Sequence, residues 1–321
     1  MSSLDFAVDL QRIDPATALQ HWEQSEHTTV FTHPAVLARL APEVHWWMAC
    51  SRGEVAGLWP VCLDRAGRVR NPELAYFLGP FDPTLPEPSP RRRLLRQLAV
   101  QRAFLDRLSR DYGDLPWSTP PPPPDLRPWL WCEDANRKIL VKPRYTAVIP
   151  GLQGVAPADL LQGFSYERRA DARRAARQGA RRLADASLAS IQALYAENLA
   201  SQGQAALAER RMEELAALYE LTGTAHGFRV VCTQGEQDEA RSVWLILAAK
   251  GRACGVIAVA DPGWRRAQYN AYACWQALMA AQATGADCYD FNGANSPQRG
   301  PDKHSYGAEP ALYFDLRLVR S

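Results

Sequence analysis

Two stretches of this chain, His45–Val61 and Val243–Val259, share one pattern: an apolar run, a basic residue followed by glycine, then a second apolar run. They align without gaps, Trp46 against Trp244, Gly53 against Gly251, Gly57 against Gly255 and Val61 against Val259. Each predicts a β-hairpin turning at Arg52-Gly53 or Lys250-Gly251, because a tight two-residue turn favours glycine where φ is positive. Helical pattern precedes each hairpin, and a further helix and strand follow it. This order predicts duplication of one fold unit.

The rest of the pattern fills in around the hairpins. "LAYFLGPFDP" predicts a strand ending in a turn, and a basic helix is expected from about Arg91 to Tyr112. Pro120–Pro124 is extended by its chemistry, and reads as a stiff connector packed by Trp117 and Trp129 rather than a ligand for a proline-binding module. "RYTAVIP" (Arg144–Pro150) predicts the strand closing a first domain, 1–150, with a second domain over 151–321. Ser165 is a helix cap for the arginine-rich stretch that follows it. Leu188, Ile191 and Tyr195, then Met212, Leu215 and Tyr219, keep helical spacing, with Gly223 as a stop. Ala271, Trp275, Leu278 and Gln282 share a face of a helix that Gly285 ends. Tyr289–Phe291 and Leu312–Leu318 alternate as strands do. Helices and hairpins in runs, without strict βαβα order, predict an α+β class.

Composition narrows the class. Apolar residues make up 47% and charged residues 22% of 321 positions, as in soluble globular proteins. A net charge of +2 gives no global reason for nucleic acid, DNA in particular, or an anionic membrane as partner. Seven cysteines without a C-x-x-C pair suit a reducing cytoplasm and argue against zinc, so no metal is expected. The first residues do not form a secretory signal, and no run approaches the roughly 20 apolar residues of a membrane span. There is no G-x-S-x-G, P-loop or H-E-x-x-H, which leaves hydrolase, kinase and metalloprotease readings unsupported.

Candidate chemistry gathers in the polar stretch between the last two strands. Asp290 alternates with Tyr289 and Phe291, so its carboxylate is expected to point to solvent or a cleft, where it would take a proton from an ammonium or hold it. Asn292 and Asn295 have amides that donate to a carbonyl oxygen as charge develops there. Arg299 and Lys303 suit a phosphate or carboxylate, and the imidazole of His304 suits a proton shuttle. Arg169, Arg173 and Arg177, four apart, stack on one helix face and suit the phosphates of coenzyme A, tRNA or a lipid-linked sugar. The plainer readings are turn-forming asparagines and a solvated arginine face paired with Glu167 and Asp171.

The pieces "RRADARRAARQG", "YDFNG", "KHSYGAE" and "ALYFDL" together resemble the Fem-type transferases and related double-GNAT acyltransferase-like proteins, with Tyr306 where the family usually has Phe. "FTHPAVLARL", "VAGLWPV" and "YFLGPF" extend the likeness to the first half. The resemblance implies two tandem GNAT-like domains, mixed sheets flanked by helices, with the substrate in a cleft of the second domain or between both. It implies transfer of an acyl or aminoacyl group to an amine acceptor, a small molecule or a cell-envelope precursor. Acyl-CoA and aminoacyl-tRNA are the donors it suggests, tRNA then being the carrier, and no further cofactor is assigned. It also implies that Lys303 serves an anionic acceptor; beside it Asp290 and His304 are expected as catalytic partners from their own chemistry, and Tyr306 is expected in the substrate site. The Gly-rich Q/R-x-x-G-x-G/A turn of coenzyme-A-binding GNAT domains is missing from "DPGWRRAQYNAYACW" and "LGPFDPTLPEPSP". The alternative is therefore a catalytically degenerate GNAT-fold binding protein without a donor site.

Overall fold

The computed structural model describes residues 6–26, 28–82, 89–236, 238–297 and 299–320. The chain forms two compact units, Met1–Arg144 with Leu312–Ser321, and Tyr145–Ala311. The last strand, Glu309–Arg320, thus contributes most of its length to the first unit.

In the first unit β1 (Val8–Ile13), α1 (Pro15–Gln24) and α2 (Pro34–Leu40) lead into β2 (Glu43–Ser51) and β3 (Glu54–Leu63). These three strands make an antiparallel sheet in the order β1-β2-β3. The β2–β3 turn is the expected one: Arg52 and Gly53 have φ of +56° and +77°. Next come α3 (Pro90–Tyr112), β4 (Leu115–Ser118), α4 (Arg127–Leu130) and the start of β5 (Arg137–Ile149). Ser89 caps α3 by accepting from the backbone N–H of Arg92, and Phe104, Leu105 and Leu108 bury its inner face. Trp59, Trp117 and Trp129 meet with ring centroids 5.2–5.5 Å apart, which anchors the proline-rich stretch between β4 and α4 at both ends. Residues 74–82 do not form the expected strand. Only Phe81 bridges to Leu58, because Phe77 takes a left-handed φ of +50° that ends extended structure.

The second unit continues through α5 (Pro157–Gln162), α6 (Tyr166–Arg177), β6 (Ala180–Leu183), α7 (Leu188–Ala200) and α8 (Ala205–Leu221). Then follow β7 (Gly227–Gln234), β8 (Ser242–Ala249), β9 (Arg252–Ala260), α9 (Pro262–Arg266), α10 (Asn270–Ala283) and β10 (Cys288–Asp290). α11 (Gly300–His304) precedes β11 (Glu309–Arg320). Within this unit the strand order is β5-β10-β9-β8-β7-β6. β9 and β10 run parallel, whereas β5–β10, β6–β7, β7–β8 and β8–β9 pair antiparallel. The second hairpin turns as the first does, with Lys250 and Gly251 at φ +52° and +72°.

Small residues let α10 and α6 approach closely, since Ala271, Ala273, Ala277 and Ala281 of α10 share one buried cluster with Ala172 and Ala175 of α6. Gln282 of α10 donates to the carbonyls of Leu152 and Val155, and Trp275 donates to that of Pro157. The polar and aromatic members of that helix thereby fasten the chain entering the unit.

Candidate functional site

β10 is only three residues long, yet it is a central strand. Tyr289 and Asp290 pair antiparallel with Ile149 and Val148, and parallel with Ala253 and Cys254. Both sheet faces are covered there, so Asp290 is 0% exposed. Of the expected alternatives, solvent or a cleft, this rules out solvent: alternation sets which face a side chain takes, while burial depends on what covers that face.

The Asp290 carboxylate is held by neighbours within the unit. Its Oδ1 accepts from the Thr146 hydroxyl at 2.5 Å and from the Asn292 backbone N–H at 2.8 Å. Its Oδ2 lies 3.6 Å from a guanidinium nitrogen of Arg252. Burial pushes its pKa above the usual carboxylate range; the Thr146 hydroxyl, Arg252, the Asn292 N–H and Lys303 pull it back.

Immediately after Asp290 the chain turns away from β9. Asn292 has φ +49° and Gly293 φ +84°, and the β9–β10 register ends at Asp290↔Cys254. The end of a parallel strand pair is where open mixed sheets present loops to ligands. Asn292 is 7% exposed, and neither its side-chain nitrogen nor its side-chain oxygen has a hydrogen-bond partner among the described residues. The Tyr289 hydroxyl is likewise buried without one. It lies over Gly255, where an added Cβ would come within 2.4 Å of it.

Lys303, on α11, reaches back to this turn. Its ammonium donates to the carbonyls of Phe291 at 2.8 Å, Asn292 at 3.3 Å and Gly293. Burial pushes the amine down to about 8, with Asp290 opposing the shift. All three N–H bonds of the ammonium are therefore directed at the backbone that presents Asn292, and none remains for an acceptor anion. Asn295 is similarly occupied: its amide accepts from Tyr145 N–H at 2.8 Å and donates to Tyr145 C=O at 2.9 Å, as a strand neighbour would.

The structure gathers Asp290, Asn292 and Lys303 and leaves the other candidates apart from them. His304 is exposed, its Nδ1 2.7 Å from the Ala308 carbonyl. Arg299 is exposed and donates to the Gln202 side chain. Tyr306 is a core residue, stacked on Phe291 at 6.1 Å and edge-on to Phe164 at 5.3 Å. Gly307 follows it at φ +81°, where a Cβ would meet the Gly163 carbonyl at 2.4 Å, so only glycine fits the end of that motif. On α6, Arg169 donates to the carbonyls of Gln162 and Phe164, whereas Arg173 and Arg177 are exposed.

Sequence reasoning missed Arg168. Its guanidinium donates to Ser305 Oγ at 3.1 Å, Gln268 Oε1 at 2.8 Å and the Asp302 carboxylate, and it lies 5.4 Å over the Tyr306 ring. It joins α6, the turn before α10 and α11, and so supports the helix that carries Lys303. The signal available in the sequence was its position two turns ahead of Ala175 on the packed side of α6, opposite the four-apart stripe.

Among the described residues no group of three or more His, Cys, Asp or Glu could hold a metal ion. No helix among them is long and apolar enough to cross a membrane.

The architecture is a mixed α+β fold of two tandem GNAT-like domains. Residues 165–301 match the family model described as an acetyltransferase (GNAT) domain. No curated protein matches the sequence significantly. Among solved structures, the chain is similar to FemX, at 13% identity over 96% of each chain with a TM-score of 0.56. It is also similar to a tandem GNAT protein from the clavulanic acid biosynthesis pathway, at 12% identity over 98% of each chain and a TM-score of 0.57. The L-PGS structure from Bacillus licheniformis is similar at 10% identity, over 96% of this chain and 92% of that one, with a TM-score of 0.55. At these identities the likeness concerns the fold.

Proposed function

We propose that the second unit transfers an acyl or aminoacyl group to an amine, at the turn where β10 leaves β9. The observation that carries this reading is the Asn292 carboxamide, buried with both its donor and its acceptor unpaired among the described residues. A buried polar group without a partner costs about 1–3 kcal/mol, and a turn that strains Asn292 into positive φ adds to that cost. Such expense is expected where a ligand group completes the pairing.

The mechanism follows from the amide's two ends. Nδ2 donates to the carbonyl oxygen of the donor, more strongly as negative charge develops there. Oδ1 accepts from an N–H of the attacking amine and aims its lone pair at the carbonyl carbon. The C–N bond forms, the leaving group departs with the electron pair, and the amine's proton passes to it or to water. Lys303 and Asp290 act here as positioning residues, fixing the carbonyl and the N–H of Asn292 respectively. This departs from an acceptor-binding Lys303.

As donor, an acyl-CoA or an aminoacyl-tRNA fits the family likeness. The lack of a Gly-rich turn between β9 and α10, where α9 buries Trp264 instead, supports the aminoacyl-tRNA. Arg173 and Arg177, exposed on α6, would meet the anionic part of either substrate. The acceptor we favour is an amine on a cell-envelope precursor. All seven cysteines are free, which supports a cytoplasmic setting.

A second reading, a GNAT scaffold that binds without turnover, is supported by the full commitment of the Lys303 ammonium to backbone carbonyls. A thermal-shift panel of acyl-CoAs, aminoacyl-tRNAs and nucleotide-sugar precursors, followed by mass spectrometry for a new amide, separates the two. Transfer lost in Asn292→Ala, with the melting temperature retained, supports the enzyme; a shift without product supports the binder.

A further inference from the structure

Among the described residues five large hydrophobics are prominently exposed, and three of them, Leu130, Trp131 and Leu140, fall in one short part of the first unit. Trp131 is 49% and Leu140 54% exposed. The end of α4 folds back on the start of β5, because Ile139 N–H donates to Glu133 Oε1 at 2.8 Å and Asp134 bridges to Arg137. Ile139 and Val141 turn inward to the tryptophan core, so Lys138, Leu140 and Lys142 point outward together.

Charge reinforces the pattern. Arg127, Arg137, Lys138, Lys142 and Arg144, against Glu133 and Asp134, give residues 127–144 a formal charge of +3, where the whole chain has +2. The arginines are engaged: Arg127 pairs with Asp125, Arg137 with Asp106 and Asp134, and Arg144 with Asp315. Lys138 and Lys142 are exposed and make no ion pair with any described residue. The chain has only four lysines, and two of them flank the most exposed leucine among the described residues.

We propose that this face is a peripheral docking surface for an anionic phospholipid bilayer. Lys138 and Lys142 meet the headgroup phosphates, while Trp131, Leu130 and Leu140 enter the headgroup–acyl boundary. Aromatic and aliphatic groups beside unpaired lysines are the composition such an interface selects. Protection of an exposed strand edge explains lysines and the neighbouring Pro143, but it does not explain Leu140 and Trp131 left in water. The inference is independent of the transfer reaction, since none of these residues belongs to the second unit.

The test is co-sedimentation of the full chain with vesicles of phosphatidylcholine, alone or mixed with phosphatidylglycerol. Binding is expected to the mixed vesicles only, and to weaken at high salt. A lysine near an anionic surface is worth about fivefold in partitioning, so Lys138→Gln with Lys142→Gln lowers it about 25-fold. Trp131→Ser with Leu140→Ser also lowers it, with unchanged melting temperatures in both double variants. Equal partitioning on both vesicle types, or wild-type partitioning by either double variant, overturns the proposal. So does self-association without lipid that Leu140→Asp abolishes, which would make the face a contact between copies.

Discussion

A methyl group added at Gly255 tests how the centre of the second unit is built. In Gly255→Ala the new Cβ would stand 2.4 Å from the Tyr289 hydroxyl oxygen and 3.2 Å from Cζ of the same ring. Tyr289 is fully buried between Trp244 and Phe291, with centroids 6.4 and 4.9 Å away, so the ring has little room to retreat. Overpacking of this kind costs about 1–3 kcal/mol, and we expect a loss of about 2–3 kcal/mol. For a unit of this size that lowers the melting temperature by about 4–12 °C. Tyr289→Phe removes a buried hydroxyl that has no partner among the described residues, and is expected to be neutral or stabilising by up to about 1 kcal/mol. Combining the two moves the nearest clash out to the ring carbon, so the double variant should recover about 1–2 kcal/mol relative to additivity. Urea denaturation of the four proteins measures the cycle. Additive effects would refute the placement of the Tyr289 hydroxyl over β9.

Other consequences concern the turn itself. Lys303→Met leaves three carbonyls without their donor and should cost about 2–4 kcal/mol at neutral pH, with amide exchange accelerated at Asn292 and Ala294 more than in β8. Thr146→Val removes the hydroxyl that donates to Asp290 and accepts from Gly293 N–H, which should destabilise by about 2 kcal/mol. A raised carboxyl pKa favours the folded state most while the group is protonated. Wild type should therefore lose stability relative to Asp290→Asn as pH rises from below 3.8 through the folded pKa, a comparison made by urea denaturation at pH 4 and pH 7. Equal differences at the two pH values would place the carboxylate in a less costly environment than its burial implies.

Much of the architecture was legible because it rests on local chemistry. The two hairpin turns require consecutive positive φ, and a basic residue followed by glycine announces that in both halves. Ser165 caps the helix that follows it by accepting a backbone N–H group, as its residue type announces. Gly179 and Gly285, both left-handed, stand just past helix ends. What could not be read was set by tertiary packing. Asp290 and Tyr289 alternate as in a half-exposed strand, but β10 has neighbours on both sides and covered faces, so both are buried. The long polar stretch after β10 reads as a solvated site; in space Lys303 and Asn295 spend their polarity on nearby backbone. Arg168 and Arg169 are adjacent in sequence, and only the fold distinguishes the one that ties three elements together from the one that caps the chain entering α6.

The most direct measurement is amide formation from a donor identified in the ligand panel, followed by mass spectrometry in wild type, Asn292→Ala and Arg177→Gln. Losing one oxyanion donor costs about 100- to 1,000-fold in turnover. The account predicts a fall of that order in Asn292→Ala with its fold intact, and a change confined to KM in Arg177→Gln. Turnover by Asn292→Ala within a few-fold of wild type would contradict it.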